Sequence, residues 1–205
     1  TGVPLFVNEK GDTTSSVFVQ DDSTNFLKFE GSVDPKITGG FNNTITYKNL
    51  SLNIFITYQA GNKIRLYPAF KSNYVELDAT PKEFYDRWVN LGDQTKTHIP
   101  SIMDAYENVL NGTDFPYSNY NYSTARVAKG DFIRLKSVSL TYQLPETLVS
   151  KTGFFKTLAV TGAAINPWLI YADKKLEGQD PEFFNAGGVA QPIQKQITIS
   201  LKAGF

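Results

Sequence analysis

Apolar and polar residues alternate with a period of two in several long segments of the chain. Between residues 37 and 47 the odd positions are mostly apolar, and between residues 50 and 58 the even positions are apolar. Side chains of a β-strand point alternately to the two faces of a sheet, so each segment has one apolar and one polar face. The break at Lys48-Asn49 predicts a tight turn, and residues 36–62 are therefore predicted to form an antiparallel hairpin.

The same pattern returns in the second half of the chain. It runs from Phe132 to Leu144, where Arg134 and Lys136 occupy even positions and the split into an apolar and a hydroxyl face is sharp from Ser137 onwards, then over 157–162, and finally along 193–205. We expect Asn166-Pro167 to begin a new connection. The predicted organisation is an irregular segment at 1–35, hairpins at 36–62 and 131–166, long loops at 63–130 and 167–191, and a last strand at 192–205.

The long loop at 63–130 contains two helix signals. Thr80-Pro81-Lys82-Glu83 combines a cap residue, a proline and an acidic residue at the start of a turn. Ser101 is a candidate cap for a second helix that would stop at Asn111-Gly112. A polar, aromatic stretch follows at 117–122.

The five predicted strands are long, and the connections between them alternate between short and long. This asymmetry is typical of a transmembrane β-barrel, with short turns on one side and long loops on the other. Aromatic residues at strand ends fit a bilayer interface: Tyr47, Tyr58, Tyr142 and Phe205. An antiparallel sheet with one solvated face alternates in the same way, and the pattern by itself leaves both interpretations open.

Five strands are too few to close a barrel, because single-chain bacterial barrels have at least eight. An open sheet in lipid would leave backbone groups at its edges without partners. We therefore expect this chain to be a piece of a larger barrel, and its last strand, ending at Phe205, predicts a C-terminal piece.

Composition narrows the range of functions. The 205 residues contain 20 basic and 20 acidic side chains, so there is no basic excess to bind nucleic acid. Cysteine is absent and His98 is the single histidine, which excludes thiolate metal sites, disulfides and a cysteine nucleophile. No apolar run reaches the roughly 18 residues of a membrane helix. We predict neither enzymatic activity nor a cofactor.

Three stretches resemble the C-terminal barrel strands of SusC-like (RagA-like) TonB-dependent transporters. They are Pro35–Leu52 with Gly61–Ile64, Gly130–Pro145, and Asp173–Glu182 together with Phe205. The resemblance implies an outer-membrane barrel of twenty-two strands in a Bacteroidetes-like bacterium, with a plug and a TonB-contacting segment that this chain lacks. It also implies a SusD-like lipoprotein lid that captures glycans or peptides, and a terminal aromatic residue, Phe205, that the barrel-assembly machinery recognises. Loops 63–130 and 167–191 would be extracellular.

Five aromatic residues lie in the predicted outer loops and are candidates for contact with substrate or lid: Trp88, Tyr117, Tyr120, Tyr122 and Trp168. Exposed aromatic faces stack on sugars and form interaction patches. The competing interpretation is loop packing or a membrane-interface belt.

For the other residues that could carry chemistry, we predict structural roles. His98 lacks the partners of a catalytic triad and is predicted to be structural or exposed. The carboxylates of Asp21-Asp22, Asp173, Asp180 and Glu182 are predicted to serve turns rather than calcium. Gly39-Gly40 predicts a bulge or a close approach. Arg134 and Lys136 are expected to lie at the outer rim or to snorkel towards it.

Two other functions compete with a transporter fragment. A soluble β-sandwich carbohydrate-binding module requires the apolar strand faces to meet in one closed core. A glycosidase requires two carboxylates flanking a cleft, and no motif in the sequence pairs any two of them.

Overall fold

A computed structural model describes residues 2–15, 17, 27–70, 80–102, 116–184 and 194–205. The chain divides into two compact units. The first comprises Thr1–Glu30 and Arg65–Val127, and the second comprises Gly31–Ile64 and Ala128–Phe205.

Strands dominate the described residues. The strands are β1 (Phe6–Val7), β2 (Thr13–Thr14), β3 (Ile37–Tyr47), β4 (Leu50–Ala60), β5 (Lys63–Arg65), β6 (Val127–Lys129), β7 (Phe132–Gln143), β8 (Thr157–Ala172) and β9 (Gln196–Gly204). The α-helices are α1 (Pro116–Tyr122) and α2 (Glu146–Val149), and short 3₁₀ helices cover Lys82–Asp86, Asp93–Thr95, Thr124–Arg126, Ser150–Thr152 and Lys174–Leu176. None of the helices in these ranges is both long and apolar enough to cross a membrane.

The second unit is built on a five-stranded sheet in the order β3-β4-β7-β8-β9, with every neighbouring pair antiparallel. The five predicted strands are therefore confirmed. The β3–β4 hairpin closes through Lys48-Asn49, where Lys48 has a φ of 52°. In this sheet, β3 and β9 are the edge strands.

Strand β8 is longer than predicted. The structure continues it through Asn166-Pro167 to Ala172, so the expectation that a connection begins at residue 167 is wrong. Ser137 pairs with Ile165, and the next paired residue of β8 is Trp168, so Asn166-Pro167 forms a bulge. A proline is tolerated at a bulge because no ladder hydrogen bond needs its missing N–H.

The first unit has a small aromatic core of Ala69, Phe70, Phe84, Tyr117 and Tyr120, with Phe6 and Ile99 packed against it. The predicted helix at residue 80 is a short 3₁₀ helix, Lys82–Asp86. Nearly all of the second predicted helix, after Ser101, lies outside the described residues.

The sequence pattern did not predict helix α1. Its tyrosines, asparagines and serine are weak helix formers, but Pro116 at its first position was an available signal.

Candidate functional site

One face of the five-stranded sheet is apolar and exposed. The register places Ile45, Leu52, Leu140, Gly162 and Ile199 in one row across the strands. Ile45, Leu140 and Ile199 are 57%, 49% and 80% exposed. Each large apolar side chain left in water forgoes about 1.5–3 kcal/mol of burial free energy. A continuous exposed apolar face of this kind indicates a surface that contacts an apolar environment.

The opposite face carries a row of hydroxyl side chains that crosses all five strands: Thr46, Ser51, Thr141, Thr161 and Ser200. Thr46 Oγ1 lies 3.3 Å from Ser51 Oγ, and Thr141 Oγ1 lies 2.9 Å from Thr161 Oγ1. Hydroxyl groups at this density suit contact with water or with a polar surface.

Asparagine extends this polar network on the two first strands of the sheet. Asn53 Nδ2 donates to Asn42 Oδ1 at 2.9 Å and to Thr44 Oγ1 at 2.8 Å. The polar face is thus partly satisfied by its own side chains, which fixes their orientation.

Gly39 and Gly40 allow aromatic rings to cover β3 closely. A Cβ atom at Gly39 would lie 2.5 Å from Tyr58 Oη, and one at Gly40 would lie 2.9 Å from Phe55 Cε2. The β3–β4 register is continuous through both glycines, so the predicted close approach is confirmed and the alternative of a bulge is wrong.

Lys136 interrupts the alternation of β7. Ser137 and Leu135 pair with consecutive residues of β4, so Lys136 is an extra residue in β7. This bulge shifts the phase of the strand and places Arg134, which pairs with Thr57, on the polar face. The expected single alternation from Phe132 to Leu144 is therefore wrong, because it changes phase at Lys136.

Arg134 is the centre of a buried ion network. Its Nη2 lies 2.5 Å from Asp180 Oδ1, and its Nε lies 3.3 Å from Glu182 Oε2. Glu182 Oε1 also lies 3.6 Å from Lys136 Nζ. Arg134 and Asp180 are only 3% and 2% exposed, so the expectation that the Arg134 guanidinium snorkels to the outer rim is wrong. Its guanidinium is instead stabilised by two carboxylates.

The acidic residues of this region accept hydrogen bonds from backbone amides or pair with basic side chains of the protein. Asp173 accepts hydrogen bonds from the backbone N–H groups of Lys129 and Lys175, at 2.8 and 3.0 Å. Burial works against ionisation of Asp173, but these two amides together with the positive charges of Lys175 and Lys129 lower its pKa. Within the described ranges no group of three or more His, Cys, Asp or Glu residues could hold a metal ion. Asp21-Asp22 lies outside those ranges.

The candidate aromatic residues fall in different environments. Tyr117 and Tyr120 are 8% and 6% exposed and belong to the core of the first unit, which matches loop packing. Tyr122, at the end of α1, is 66% exposed. Trp88 lies beside a cleft, and Trp168 lies in β8 rather than in the predicted loop, which corrects its placement.

Aromatic side chains mark both ends of the apolar face. Trp168 pairs with Leu135 near one end of the sheet and is 60% exposed. Tyr171 pairs with Ile133 at the same end, and Tyr142 lies nine residues from Ile133 towards the other end. At 3.3 Å per residue this span is roughly 30 Å along the strand. A strand tilted by about 40° would then cover roughly 23 Å, close to the apolar band of a membrane barrel.

The cleft of the first unit has a volume of about 330 Å³ and is lined by Trp88, His98 and residues of 2–5 and 91–100. Trp88 Nε1 donates to Gln94 Oε1 at 3.3 Å. His98 is exposed, as predicted, and no carboxylate is among the described residues that line the cleft. The cleft therefore offers an indole, the imidazole of His98 and the polar side chains of Gln94 and Thr97.

Asn121 holds the first unit together from α1. Its Oδ1 accepts from the N–H groups of Ala69 and Phe70, at 2.8 and 3.2 Å, and its Nδ2 donates to the carbonyl oxygen of Phe70 at 2.8 Å. Beside it, burial raises the pKa of the Tyr120 hydroxyl, although the cationic Arg126 works in the opposite direction. No local sequence signal marks Asn121, because its partners lie 51 and 52 residues away.

We expect Asn121→Ala to destabilise the first unit by about 1–3 kcal/mol, because it removes three hydrogen bonds to buried backbone groups. Limited proteolysis of the full-length protein would measure this as faster cleavage in residues 65–127. Ser118→Ala, at an exposed position of the same helix, is the control and should leave the rate unchanged. Equal rates for the two variants would contradict the prediction.

Phe205 lies in an aromatic cluster with Phe154 and Phe155, at ring-centroid distances of 5.0 and 5.3 Å. It is 68% exposed. Its role as an assembly signal stays a prediction.

Comparison with known proteins shows which proteins the chain is related to. No protein-family model matches the chain. It is 29% identical over 164 residues to TonB-dependent receptor P3 of Formosa agariphila, covering 78% of this chain and 14% of the receptor. It is 30% identical over 190 residues to TonB-dependent receptor P26 of the same organism, covering 85% of this chain and 17% of the receptor. The chain is homologous to part of the TonB-dependent receptors. It spans about a sixth of the length of these two receptors.

Solved structures agree with this relationship. The RagAB peptide importer in its open-open state matches with a TM-score of 0.65 and 23% identity, over 99% of this chain and 22% of that chain. The closed-closed state matches with a TM-score of 0.60 and 25% identity, over 97% of this chain and 20% of that chain. The five-stranded sheet therefore has the antiparallel strand arrangement found in part of these structures. These relatives are named as receptors and importers rather than enzymes.

Proposed function

We propose that this chain is a wall and outer-loop portion of a TonB-dependent importer in the outer membrane of a Bacteroidetes-like bacterium. The exposed apolar face of the sheet carries the proposal, because lipid supplies the apolar surroundings that water cannot. In this arrangement the hydroxyl row faces an aqueous lumen or a polar plug, and the edge strands β3 and β9 pair with the rest of the barrel.

The proposed importer works with a SusD-like surface lipoprotein and draws energy from TonB through parts outside this chain. Substrates are peptides or oligosaccharides, and the match to structures titled as a peptide importer makes peptides the first class to test. Phe205 would act in recognition by the barrel-assembly machinery. Tyr122 and Trp88 remain the candidates for substrate or lid contact.

A soluble carbohydrate-binding β-sandwich is the weaker candidate. It requires the apolar faces to be buried against each other, whereas Ile197, Ile199 and Leu201 on β9 are 84%, 80% and 68% exposed. The other sheets among the described residues, β1–β2 and β5–β6, have strands of only two or three residues, too short for the second layer of a sandwich.

Spin labels on adjacent residues of β9 test the membrane orientation. The chain has no cysteine of its own, so Ile199→Cys and Ser200→Cys each create a labelling site within this chain of the full-length protein. In outer-membrane vesicles we expect the label at 199 to be relaxed by oxygen and the label at 200 by a water-soluble nickel chelate. Equal accessibility to the chelate at both positions would overturn the proposal.

Growth of a deletion strain tests the transport activity. If the protein imports peptides, loss of its gene should impair growth on oligopeptides as the nitrogen source, and the wild-type gene should restore it. Growth unaffected on peptides but lost on oligosaccharides would assign the alternative substrate class, and unchanged growth on both would contradict an import role.

A further inference from the structure

The segment that follows β8 folds back onto the polar face of the sheet. We call residues 173–184 the strap. Asp173 caps the 3₁₀ helix Lys174–Leu176 at its start, and Asp180 reaches Arg134 on the polar face. Leu176 and Phe184 are 1% and 3% exposed, so the strap is anchored by apolar side chains as well as by charge.

The buried ion network attaches the strap to β7. Arg134 and Asp180 are both almost fully buried, and a guanidinium without its carboxylate in such surroundings carries a large desolvation penalty. Asp180 Oδ1 also accepts from the backbone N–H of Glu182 at 3.0 Å, which fixes the turn that carries both carboxylates. The strap therefore stays attached to β7 unless the network is broken.

We infer that the strap is a fixed inner lining of the wall, fastened by Arg134, that narrows the lumen of the proposed importer beside β7. The inference rests on the proposed function, because the polar face becomes a lumen only in a closed barrel. Within the ion network, the side chains of Lys136 and Glu182 are 31% and 34% exposed, whereas Arg134 and Asp180 are buried. These two charges are the groups of the strap network that a passing substrate meets.

Thiol labelling of the strap tests the inference. Leu176→Cys places a thiol at a buried position, and Glu177→Cys places one at the exposed neighbour. In the full-length protein in outer-membrane vesicles, we expect a water-soluble maleimide to label position 176 at least tenfold more slowly than position 177. Adding Asp180→Asn should raise the rate at 176 by tenfold or more and leave the rate at 177 unchanged.

Two results would overturn the inference. One is fast labelling at 176 in the presence of intact Asp180, and the other is protection at 176 that Asp180→Asn does not change. Heat-modifiable migration on gels shows whether each variant still forms a barrel, and Arg134→Gln gives a second way to break the network. The spin labels on β9 measure independently whether the sheet is part of a membrane barrel. A wrong inference about the strap would therefore leave the spin-label result unchanged, whereas a wrong proposed function would alter it.

Discussion

Replacing Asp180 by asparagine is expected to lower the free energy of unfolding by about 3–5 kcal/mol, the largest effect of any single substitution considered. The substitution keeps the shape of the side chain but leaves the buried guanidinium of Arg134 without its nearest carboxylate. Glu182 is farther away and more exposed, so it offsets only part of this loss. Thermal or urea unfolding of the full-length protein in lipid vesicles measures the change.

A double variant separates a lost ion pair from a general loss of packing. Replacing the pair by Arg134→Met and Asp180→Leu removes both charges, and removal of both is often nearly neutral where removal of one is costly. We expect the double variant to recover most of the stability lost by Asp180→Asn. A double variant as unstable as the single one would show that the charges of the pair are not the cause.

The second large effect is expected at the middle of the apolar face. Val138 lies in a row with Ile54, Ala164 and Ile197, between the two aromatic ends of the sheet. Val138→Arg should lower the free energy of unfolding in lipid by about 2–4 kcal/mol, because an arginine at the bilayer midplane must be stripped of water.

The matched control is the next residue, Ser139, which belongs to the polar face of the same strand and pairs with Asn53. Ser139→Arg should change the stability by about 0.5 kcal/mol, as is usual for a hydrated position. Urea titration in vesicles compares the two variants directly. If both arginines lower the free energy of unfolding equally, the two faces of the sheet do not differ in their surroundings and the prediction is wrong.

Whether the candidate aromatic residues are buried or exposed could not be predicted from the local sequence. Composition and loop position mark Tyr117 and Tyr120 as surface candidates, yet both are buried around Phe70. An aromatic residue in a loop has the same local sequence whether it packs inward or faces a ligand, because its environment depends on residues distant in the chain. Phe70 is 47 residues before Tyr117, and no local pattern connects the two.

The two-residue alternation by itself determined the five strands, their antiparallel hairpins and the presence of one apolar and one hydroxyl face. It could do so because the side-chain period of a strand is a local property of the backbone. The tertiary structure alone decided the bulge at Lys136, the continuation of β8 through Asn166-Pro167 and the pairing of Arg134 with Asp180. These features depend on register against a neighbouring strand and on a contact between residues 46 positions apart, which local sequence does not specify.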